Sequence, residues 1–472
     1  MKRYLNRIPV ILVLVALTAV ATSCQFVNKY RTPEQDTENL FREEPPQADT
    51  TTIADIPWSQ YFGDPLLVSL IDEGLRNNHD LQIAFTRIQK AEANLSISRA
   101  SYFPSVALAG QVQQNRSSNH PVRGRNNLGY HNTQYTLGIG VTWEADIWGR
   151  INRQNRADYA AFLGSQAYRD LIQTSLIANL ATSYYSLMAL DRQLEITERQ
   201  LAIMGETTET MQALMDAGLL TGAGVQQSKA QYYGTEVAIP DLRARIRETE
   251  NSICVMLGRE PGPVERAKLD DQSVHGLMDY GVPVQMLARR PDVRQAELGF
   301  RQAFELTNVA RASFYPSITL NSGSLIGYST LNSVSQFFKP EHLIANILGG
   351  LTMPIFARRQ LSSNLKIAKA SQREALLSFE KAVLVAGKEV SDILYGYRSS
   401  LGKNEVRDKQ VKSLETAVYF TKELLNAGEA NYTEVLNAEQ SLLQAQLGQV
   451  RDKLEQLQYS VTLYKALGGG AF

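Results

Sequence analysis

The residues that could carry catalysis or bind a metal are scattered through the 472-residue chain without the spacing that either chemistry needs. The five histidines form no pair at metal-ligand spacing on a predicted helix. The segment Gly222-Ala223-Gly224 lies beside a predicted helix, but no basic residue follows where a phosphate loop requires one. The serines lack the strand–turn–helix context of an activated nucleophile. We therefore expect no enzymatic activity, no metal and no cofactor.

Cys24 is the residue with the clearest chemistry. A basic head and an apolar run over residues 8–20 precede it, as is typical of a secretory signal peptide. The small residues before the cysteine resemble the bacterial lipobox, in which the thiol is acylated and becomes the mature N-terminus. Alanine stands where the lipobox usually has leucine. The alternative is ordinary signal cleavage nearby, with Cys24 left as a free thiol.

The elements that follow come in two copies of one pattern. Residues 99–105 read Arg-Ala-Ser-Tyr-Phe-Pro-Ser and return 212 residues later, at 311–317, as Arg-Ala-Ser-Phe-Tyr-Pro-Ser. Leu257-Gly258 returns 210 residues later as Leu467-Gly468. Each copy is longer than a solenoid repeat. Two similar domains in tandem would be one explanation, but the content of each copy argues against it.

Each copy is expected to contain a helix, two strands and a long helical hairpin. In the first copy a helical pattern covers residues 67–100, and apolar and small polar residues then alternate over 106–113 and 135–143. The second copy repeats the alternation more weakly at 318–321 and 351–353. One apolar face ending in aromatics and one small polar face is typical of a transmembrane β-strand. A hairpin on a soluble core is the alternative, and the export signal favours the membrane.

The strand count and the helix pattern have further consequences. Four strands cannot close a barrel, and an open edge cannot stay unpaired in lipid, so a membrane-spanning protein of this kind must oligomerise. Apolar residues at alternating steps of three and four predict a nearly unbroken helix over 150–218 and a second seam over 443–464. Pro240 is expected to kink or locally unwind the helix over 225–257.

Composition limits the partners. Lys+Arg and Asp+Glu are balanced at 48 each, so charge gives no case for a nucleic acid partner. Cys254 is the second of the two cysteines and lies in a helical pattern. It is expected to pack as a small hydrophobe, and no disulfide is expected.

The chain resembles the trimeric TolC-like outer-membrane efflux proteins, in particular their lipoprotein branch. The resemblance covers nearly the whole mature chain and rests on the order and spacing of six short motifs: Trp58-Ser59-Gln60-Tyr61-Phe62-Gly63-Asp64-Pro65, Asn78-His79-Asp80-Leu81, Ser101 to Ser105, Trp143-Glu144-Ala145-Asp146-Ile147-Trp148-Gly149-Arg150, Arg289-Arg290-Pro291-Asp292 and Met353-Pro354-Ile355-Phe356. It implies an internally duplicated α+β membrane protein. Four transmembrane β-strands per chain would contribute to a trimeric twelve-stranded β-barrel, and long coiled-coil helices would form a periplasmic tunnel.

The resemblance and the repeat together give the expected domain organisation. It comprises a signal peptide (1–23), a lipidated N-terminal segment (24–60), a first repeat (61–258) with a β-hairpin at about 104–146, an equatorial segment (259–286), a second repeat (287–468) with a β-hairpin at about 316–356, and a C-terminal tail (469–472).

The resemblance also implies where partners dock. The turns between paired long helices correspond to the family's periplasmic tips, which meet the adaptor protein. Gly218 and Gly428 suit the left-handed backbone that ends a helix, and helix punctuation alone would account for them. Leu219 and Leu220 are the candidate adaptor contacts.

Glu434 and Asn437 are the candidate residues of the periplasmic gate. In the family this position often carries two acidic residues three apart that line the narrow mouth, and spacing by three places both on one helix face. The second residue is the neutral Asn437, and Ala430 stands where the family has a basic residue. An ionic latch is therefore not expected, whereas a ring of three Glu434 side chains is. A solvated glutamate on a helix is the alternative.

The function implied is that of an outer-membrane channel subunit of a tripartite efflux system, passively conducting small amphipathic compounds such as drugs or metals. Its partners would be two further copies of itself, a periplasmic adaptor, an inner-membrane pump and outer-membrane lipid, with no nucleic acid. The alternatives are a duct for type I protein secretion and a non-conducting structural or adhesive lipoprotein.

Overall fold

The computed structural model of the chain describes residues 29–34, 40, 56–116, 131–272, 289–335, 337–427, 429 and 431–471. The predicted signal peptide, Cys24 and Gly428 lie outside these residues. Of the helices described, none contains an apolar stretch of the length that a bilayer crossing requires.

The two copies fold into matching series of elements. The first consists of α1 (Trp58–Tyr61), α2 (Pro65–Asn77), α3 (His79–Ala100), β1 (Ser105–Arg116), β2 (His131–Ala145), α4 (Arg150–Asp216) and α5 (Gly222–Leu257). The second consists of α6 (Pro291–Ala312), β3 (Ser317–Leu331), β4 (Leu343–Ala345), β5 (Gly349–Thr352), α7 (Gln360–Asn426) and α8 (Tyr432–Ala466). Helices α4 and α7 have 67 residues each, and α3 and α6 have 22 each. The internal duplication is thus confirmed.

The long helices follow the predicted pattern. At about 1.5 Å per residue, α4 is about 100 Å long. Seam residues such as Leu187, Met211 and Leu457 are almost fully buried. Pro240 lies inside α5, whose helical backbone continues through it, so the predicted local unwinding is not seen there.

The helix predicted over residues 67–100 is broken at Asn78. The backbone of this residue is extended (φ −60°, ψ 127°), and its Oδ1 accepts a hydrogen bond from the amide of Leu81 at 3.0 Å. Such a bond satisfies an amide that the new helix leaves without an internal partner. The Nδ2 of Asn78 also donates to the carbonyl of Met256 at 2.9 Å, near the end of α5. One side chain therefore starts α3 and ties it to the end of a long helix.

Arg290 holds the equivalent position in the second copy. Its guanidinium donates to the carbonyl of Ala466 at the end of α8 (3.0 Å), to Asp292 (2.7 Å) and to Glu389 on α7 (2.6 Å). Burial alone would raise the pKa of Asp292, but the hydrogen bonds and charge of Arg290 outweigh it and hold that pKa below its usual value. Both copies thus use the first residue before a helix to bind the last turn of a long helix.

The strands form one antiparallel sheet in the order β1-β2-β3-β4, with β5 also paired to β3. The registers place Leu108 opposite Ile139, and Trp143 opposite Leu320. The second strand predicted for the second hairpin is divided into β4 and β5. β4 pairs with residues 326–328 of β3, and β5 pairs with residues 317–320. Between these two stretches, residues 323–325 of β3 also have no partner in the β2 ladder.

The two long helices that follow the hairpins begin differently. Gly149, just before α4, adopts a left-handed backbone (φ 72°) at no steric cost. The equivalent residue before α7 is Arg359, which has φ 64°, and Arg358 beside it has φ 47°. A residue with a Cβ costs roughly 1–2 kcal/mol in this region, so the second copy starts its long helix under more strain.

The chain divides into two compact units, and each takes residues from both copies. One unit comprises residues 1–34, 88–164 and 296–378, and it contains the sheet. The other comprises residues 35–87, 165–295 and 379–472, and it contains both turns between paired long helices. These units therefore do not correspond to the two repeats, and the predicted division of the chain by repeat stays a prediction.

Candidate functional site

The first tip is built by the end of α4. Gly218 has φ 75°, its amide donates to the carbonyl of Met215 at 2.9 Å, and the amide of Leu219 donates to Leu214 at 2.9 Å. This pair of bonds is the Schellman motif, in which a left-handed residue closes the helix. The backbone expected at Gly218 is therefore present. The same turn leaves the side chain of Leu219 75% exposed.

The two tips share a small apolar core within their unit. Met211, Val225 and Leu436 are its buried members, at most 1% exposed. Leu220 packs against them, together with Met215 and Tyr432. A Cβ on Gly224 would lie 2.9 Å from the Tyr432 ring, so the helices approach closely here. Of the two predicted contact leucines, Leu219 faces outward and Leu220 supports the tip.

The second tip leads into α8. Asn431 caps that helix, since its Oδ1 accepts from the amide of Thr433 at 3.1 Å. The amide of Glu429 donates to the carbonyl of Leu424 at 2.9 Å, across the turn. Gly428 itself lies outside the described residues, so its role stays a prediction.

Glu434 and Asn437 are both exposed on the first turns of α8, whereas Val435 and Leu436 between them are buried. The two candidate gate residues therefore share one outward helix face, as their spacing predicts. Whether that face lines a pore stays a prediction.

Glu439 was not singled out by sequence reasoning, because a glutamate on an amphipathic helix is usually solvated. It is 1% exposed; one oxygen, Oε1, lies 2.7 Å from Nζ of Lys422 on α7 and accepts from Thr207 on α4 at 3.2 Å. The repeat offers the signal that would have found it. The equivalent pair in the first copy, Lys229 and Gln212, is also hydrogen-bonded, at 3.3 Å.

The tips are acidic. Residues 205–228 and 423–441 contain no lysine or arginine and seven acidic residues, namely Glu206, Glu209, Asp216, Glu423, Glu429, Glu434 and Glu439. All but Glu439 are at least partly exposed. The nearest basic side chains, Lys229 and Lys422, bond to Gln212 and Glu439 on the paired helices. The outer surface of the tips therefore carries a negative potential that would attract cations and basic groups.

Nothing in the described part of the chain points to a metal centre, since no three histidine, cysteine or acidic side chains lie together there. Cys254 is buried, and its thiol donates to the carbonyl of Gly262 at 3.4 Å. It packs in α5 as expected.

Comparisons with known proteins agree with this architecture. A sequence profile described as outer membrane efflux protein matches residues 70–259 and again residues 282–469. The toluene efflux pump outer membrane protein TtgC of Pseudomonas putida is 28% identical over 477 residues, covering 96% of this chain and 94% of the relative. The probable outer membrane lipoprotein SilC of Salmonella typhimurium is 28% identical over 428 residues, covering 88% of each chain.

Among solved structures, the outer-membrane channel OprN superposes with a TM-score of 0.85 at 25% identity, covering 94% of this chain and 99% of that one. The profile matches most of the chain, and it does so once in each copy. The chain therefore belongs to the outer membrane efflux protein family and is an efflux component of the cell outer membrane.

Proposed function

We propose that the protein is the channel subunit of a tripartite efflux system, in which three copies form one duct. The duct conducts small amphipathic compounds passively, while an inner-membrane pump and a periplasmic adaptor supply energy and selectivity. The chain performs no catalysis and holds no cofactor in this role.

The open edges of the sheet carry the proposal. Among the described residues, the order β1-β2-β3-β4 leaves strand β1 without a partner on one side and β4 and β5 without one on the other. One face of β2, with Leu137, Ile139 and Trp143, is apolar and suits lipid. In lipid the unpaired backbone groups of an open sheet edge cannot remain without a partner. A second copy pairing its β4–β5 edge with β1 removes both edges when a ring closes. Three chains with four strand positions each give a twelve-stranded barrel.

The decisive experiment is single-channel recording of the purified protein in planar bilayers. Stable, stepwise ion conductance by an SDS-resistant trimer is the expected result. Pure trimer that inserts without conducting would overturn the proposal and leave the structural or adhesive lipoprotein.

Anchoring by acylated Cys24 is part of the proposal. Residues shortly after it are fixed to α6: the Tyr30 ring packs on Phe300 and Phe304 at 5.9 and 5.7 Å, and Thr32 donates to Glu297 at 2.7 Å. Burial is the main cause that raises the pKa of Tyr30 to about 12. A lipid at Cys24 would thus be held within a few residues of a rigid helix. Because one acyl chain binds only marginally, the barrel must supply the firm anchor.

Adaptor docking is assigned to the tips, with Gly218 and Gly428 shaping the turns, Leu219 making contact and Leu220 supporting it. We expect Leu219→Asp to weaken binding of the adaptor about tenfold or more, because it replaces an exposed apolar contact by a charge on an already acidic surface. Pull-down with the cognate adaptor measures it. Val255→Asp is the matched control, since Val255 is 69% exposed and lies at the far end of α5. Adaptor binding by Leu219→Asp at wild-type strength would remove the contact.

Glu434 and Asn437 are assigned to the mouth of the duct. We expect Glu434→Lys to reduce the cation preference of the open channel by about twofold or more at low salt, because three negative charges become positive. Reversal potentials in a potassium chloride gradient measure this. Glu248→Lys, an exposed change of the same kind on α5, should leave selectivity unchanged. An unaltered reversal potential for Glu434→Lys across a range of salt would place Glu434 outside the pore.

A further inference from the structure

A cavity of about 470 Å³ lies in the unit that contains the sheet. It is formed where α3, the last residues of β2 and the first turns of α4 meet, and it is lined by Asn94, Ile97, Ser98, Ser101, Glu144, Arg150, Ile151, Gln154 and Asp158. Its volume falls within the range of ordinary small-molecule sites, about 300–1,000 Å³. Seven of these nine side chains are polar, so the cavity is built differently from a packing defect in an apolar core.

Ser98 gives the cavity an unused hydrogen-bonding group. The residue is only 5% exposed, and no described residue makes a hydrogen bond to its Oγ. A buried hydroxyl without a partner costs roughly 1–3 kcal/mol. Since Ser98 lines the cavity, a ligand there would recover that cost by bonding to it.

The charges that line the cavity leave one carboxylate uncompensated. The guanidinium of Arg150 binds both carboxylate oxygens of Glu144, at 3.2 and 2.6 Å, so this pair is neutral. The carboxylate of Asp158 accepts hydrogen bonds from the side-chain amide of Gln154, at 3.1 and 3.2 Å. No basic side chain of the described residues pairs with it. The cavity therefore has a net negative charge, and a cation would be its complement.

An apolar wall completes the site. Ile97 is 67% exposed, and Ile151 is buried. Side chains alternate between the two faces of β2, so Trp143 lies on the apolar face. Glu144 lies on the other face, together with Thr142 and Gly140. The cavity thus adjoins the small, polar face of the sheet, which in the proposed barrel is turned away from lipid and toward the water of the duct.

The second copy shows that the junction does not need these polar groups. At the positions equivalent to Asn94, Ser98, Arg150 and Asp158 it has Leu306, Ala310, Gln360 and Ala368. Yet helices of the same length flank its strands. The hydroxyl of Ser98 and the carboxylate of Asp158 are therefore specific to the first copy.

We propose that this cavity is a binding site for a small organic cation with an apolar body, in which Asp158 binds the cationic group, Ser98 accepts from an amine and Ile97 contacts the apolar part. The inference rests on the proposed channel function and deepens it. The duct holds one such site per chain, and its cargo includes organic cations that carry an N–H donor.

The test measures binding of ethidium, an aromatic cation with amino donors, to the purified trimer by fluorescence anisotropy. Saturable binding at one site per chain is expected. Asp158→Asn should weaken it about tenfold or more, and Ser98→Ala about two- to fivefold. Glu92→Gln, which removes an exposed charge from the same helix α3, should leave it unchanged. Binding of the uncharged probe N-phenyl-1-naphthylamine should not respond to Asp158→Asn.

Absence of saturable ethidium binding, or equal affinity of wild type and Asp158→Asn, would overturn the site. An equal loss in Glu92→Gln would also overturn it, because the effect would then be one of overall charge. Potassium chloride conductance of the same preparations, without ethidium, keeps the two proposals apart. A conducting trimer without the ethidium site contradicts this inference alone, whereas a non-conducting trimer contradicts the channel function.

Discussion

Replacing Gly327 by alanine is expected to prevent most of the protein from reaching the folded trimer. A Cβ at this position would overlap the carbonyl oxygen of Leu137 and lie 2.5 Å from the Cα of Gly138 and 2.7 Å from Oγ of Ser324. Two of these atoms belong to the backbone of β2, directly opposite in the ladder. They can move away only if the pairing of β2 with β3 is broken. We expect a loss of about 3 kcal/mol or more, the upper range for overpacking.

General propensity predicts the opposite sign, which makes the experiment informative. Glycine inside a strand usually costs roughly 0.5–1 kcal/mol relative to alanine, so alanine would be expected to stabilise β3. The control is Gly349→Ala in β5 of the same sheet, where an added Cβ meets nothing within 4 Å. This variant should fold as well as wild type or slightly better.

The measurement is the fraction of protein that migrates as a heat-modifiable trimer on SDS gels after outer-membrane extraction. Equal trimer yields for Gly327→Ala and Gly349→Ala would show that β2 and β3 are not held as closely as the structure has them.

This glycine pair illustrates what sequence could and could not predict about the sheet. Alternation places Gly138 on the small, polar face of its strand, and that assignment needs only local residues. The contact with Gly327 depends on the register between segments far apart in sequence. Register follows from packing of whole strands, so one strand alone does not specify it. For the same reason the division of the last strand into β4 and β5 could not be foreseen.

The helices were predicted more completely, because their signal is local and long. Apolar residues spaced alternately three and four apart predicted α4 over nearly its full length, and Gly218 predicted where the helix ends in a turn. The break at Asn78 was missed, since the apolar pattern continues across it and only the cap geometry reveals the boundary. Sequence marked Asn78 and Arg290 as motif residues, but their bonds reach partners 178 and 176 positions away.

The candidate sites show the same limit. Glu434, Asn437 and Leu219 were named from the family resemblance, and spacing and turn position placed them on exposed faces, which the structure has. Their roles stay predictions. The burial of Glu439 depends on helices from both copies meeting around it. The cavity beside Ser98 likewise needs three elements in place before it exists. Sites of this kind are properties of packing, which a periodicity analysis does not contain.

Arg290→Met is the second variant for which we expect a large effect, a loss of about 2–3 kcal/mol per chain at neutral pH. Arg290 is 6% exposed and bonds two carboxylates and one backbone carbonyl, all of which lose their donor. Removing one partner from a fully buried ion pair costs about 3–5 kcal/mol. The value here is lower, because the side chains of Asp292 and Glu389 are 34% and 46% exposed and water can partly replace the guanidinium.

The pH dependence distinguishes the loss of charge pairing from a simple packing defect. Because the folded pKa of Asp292 is held below its unfolded value near 3.8, its contribution is complete above that value and is lost as pH falls through the folded pKa. In the variant, burial remains without the guanidinium, so the pKa of Asp292 should rise. The gap in stability between wild type and variant should therefore be widest near neutral pH and narrow below about pH 4.

Thermal unfolding at a fixed scan rate, at pH 7 and at pH 3.5, measures both quantities. Arg294→Met is the matched control, since Arg294 is exposed one turn further along α6 and should change stability by no more than about 0.5 kcal/mol at either pH. If the difference in stability between wild type and Arg290→Met stayed constant with pH, the loss would come from the packing of the methionine alone. The ion pairs of the guanidinium with Asp292 and Glu389 would then contribute nothing to stability. A narrowing gap would instead establish that Arg290 joins α6, α7 and the end of α8 through its charge, a task that Asn78 performs in the first copy with a neutral amide.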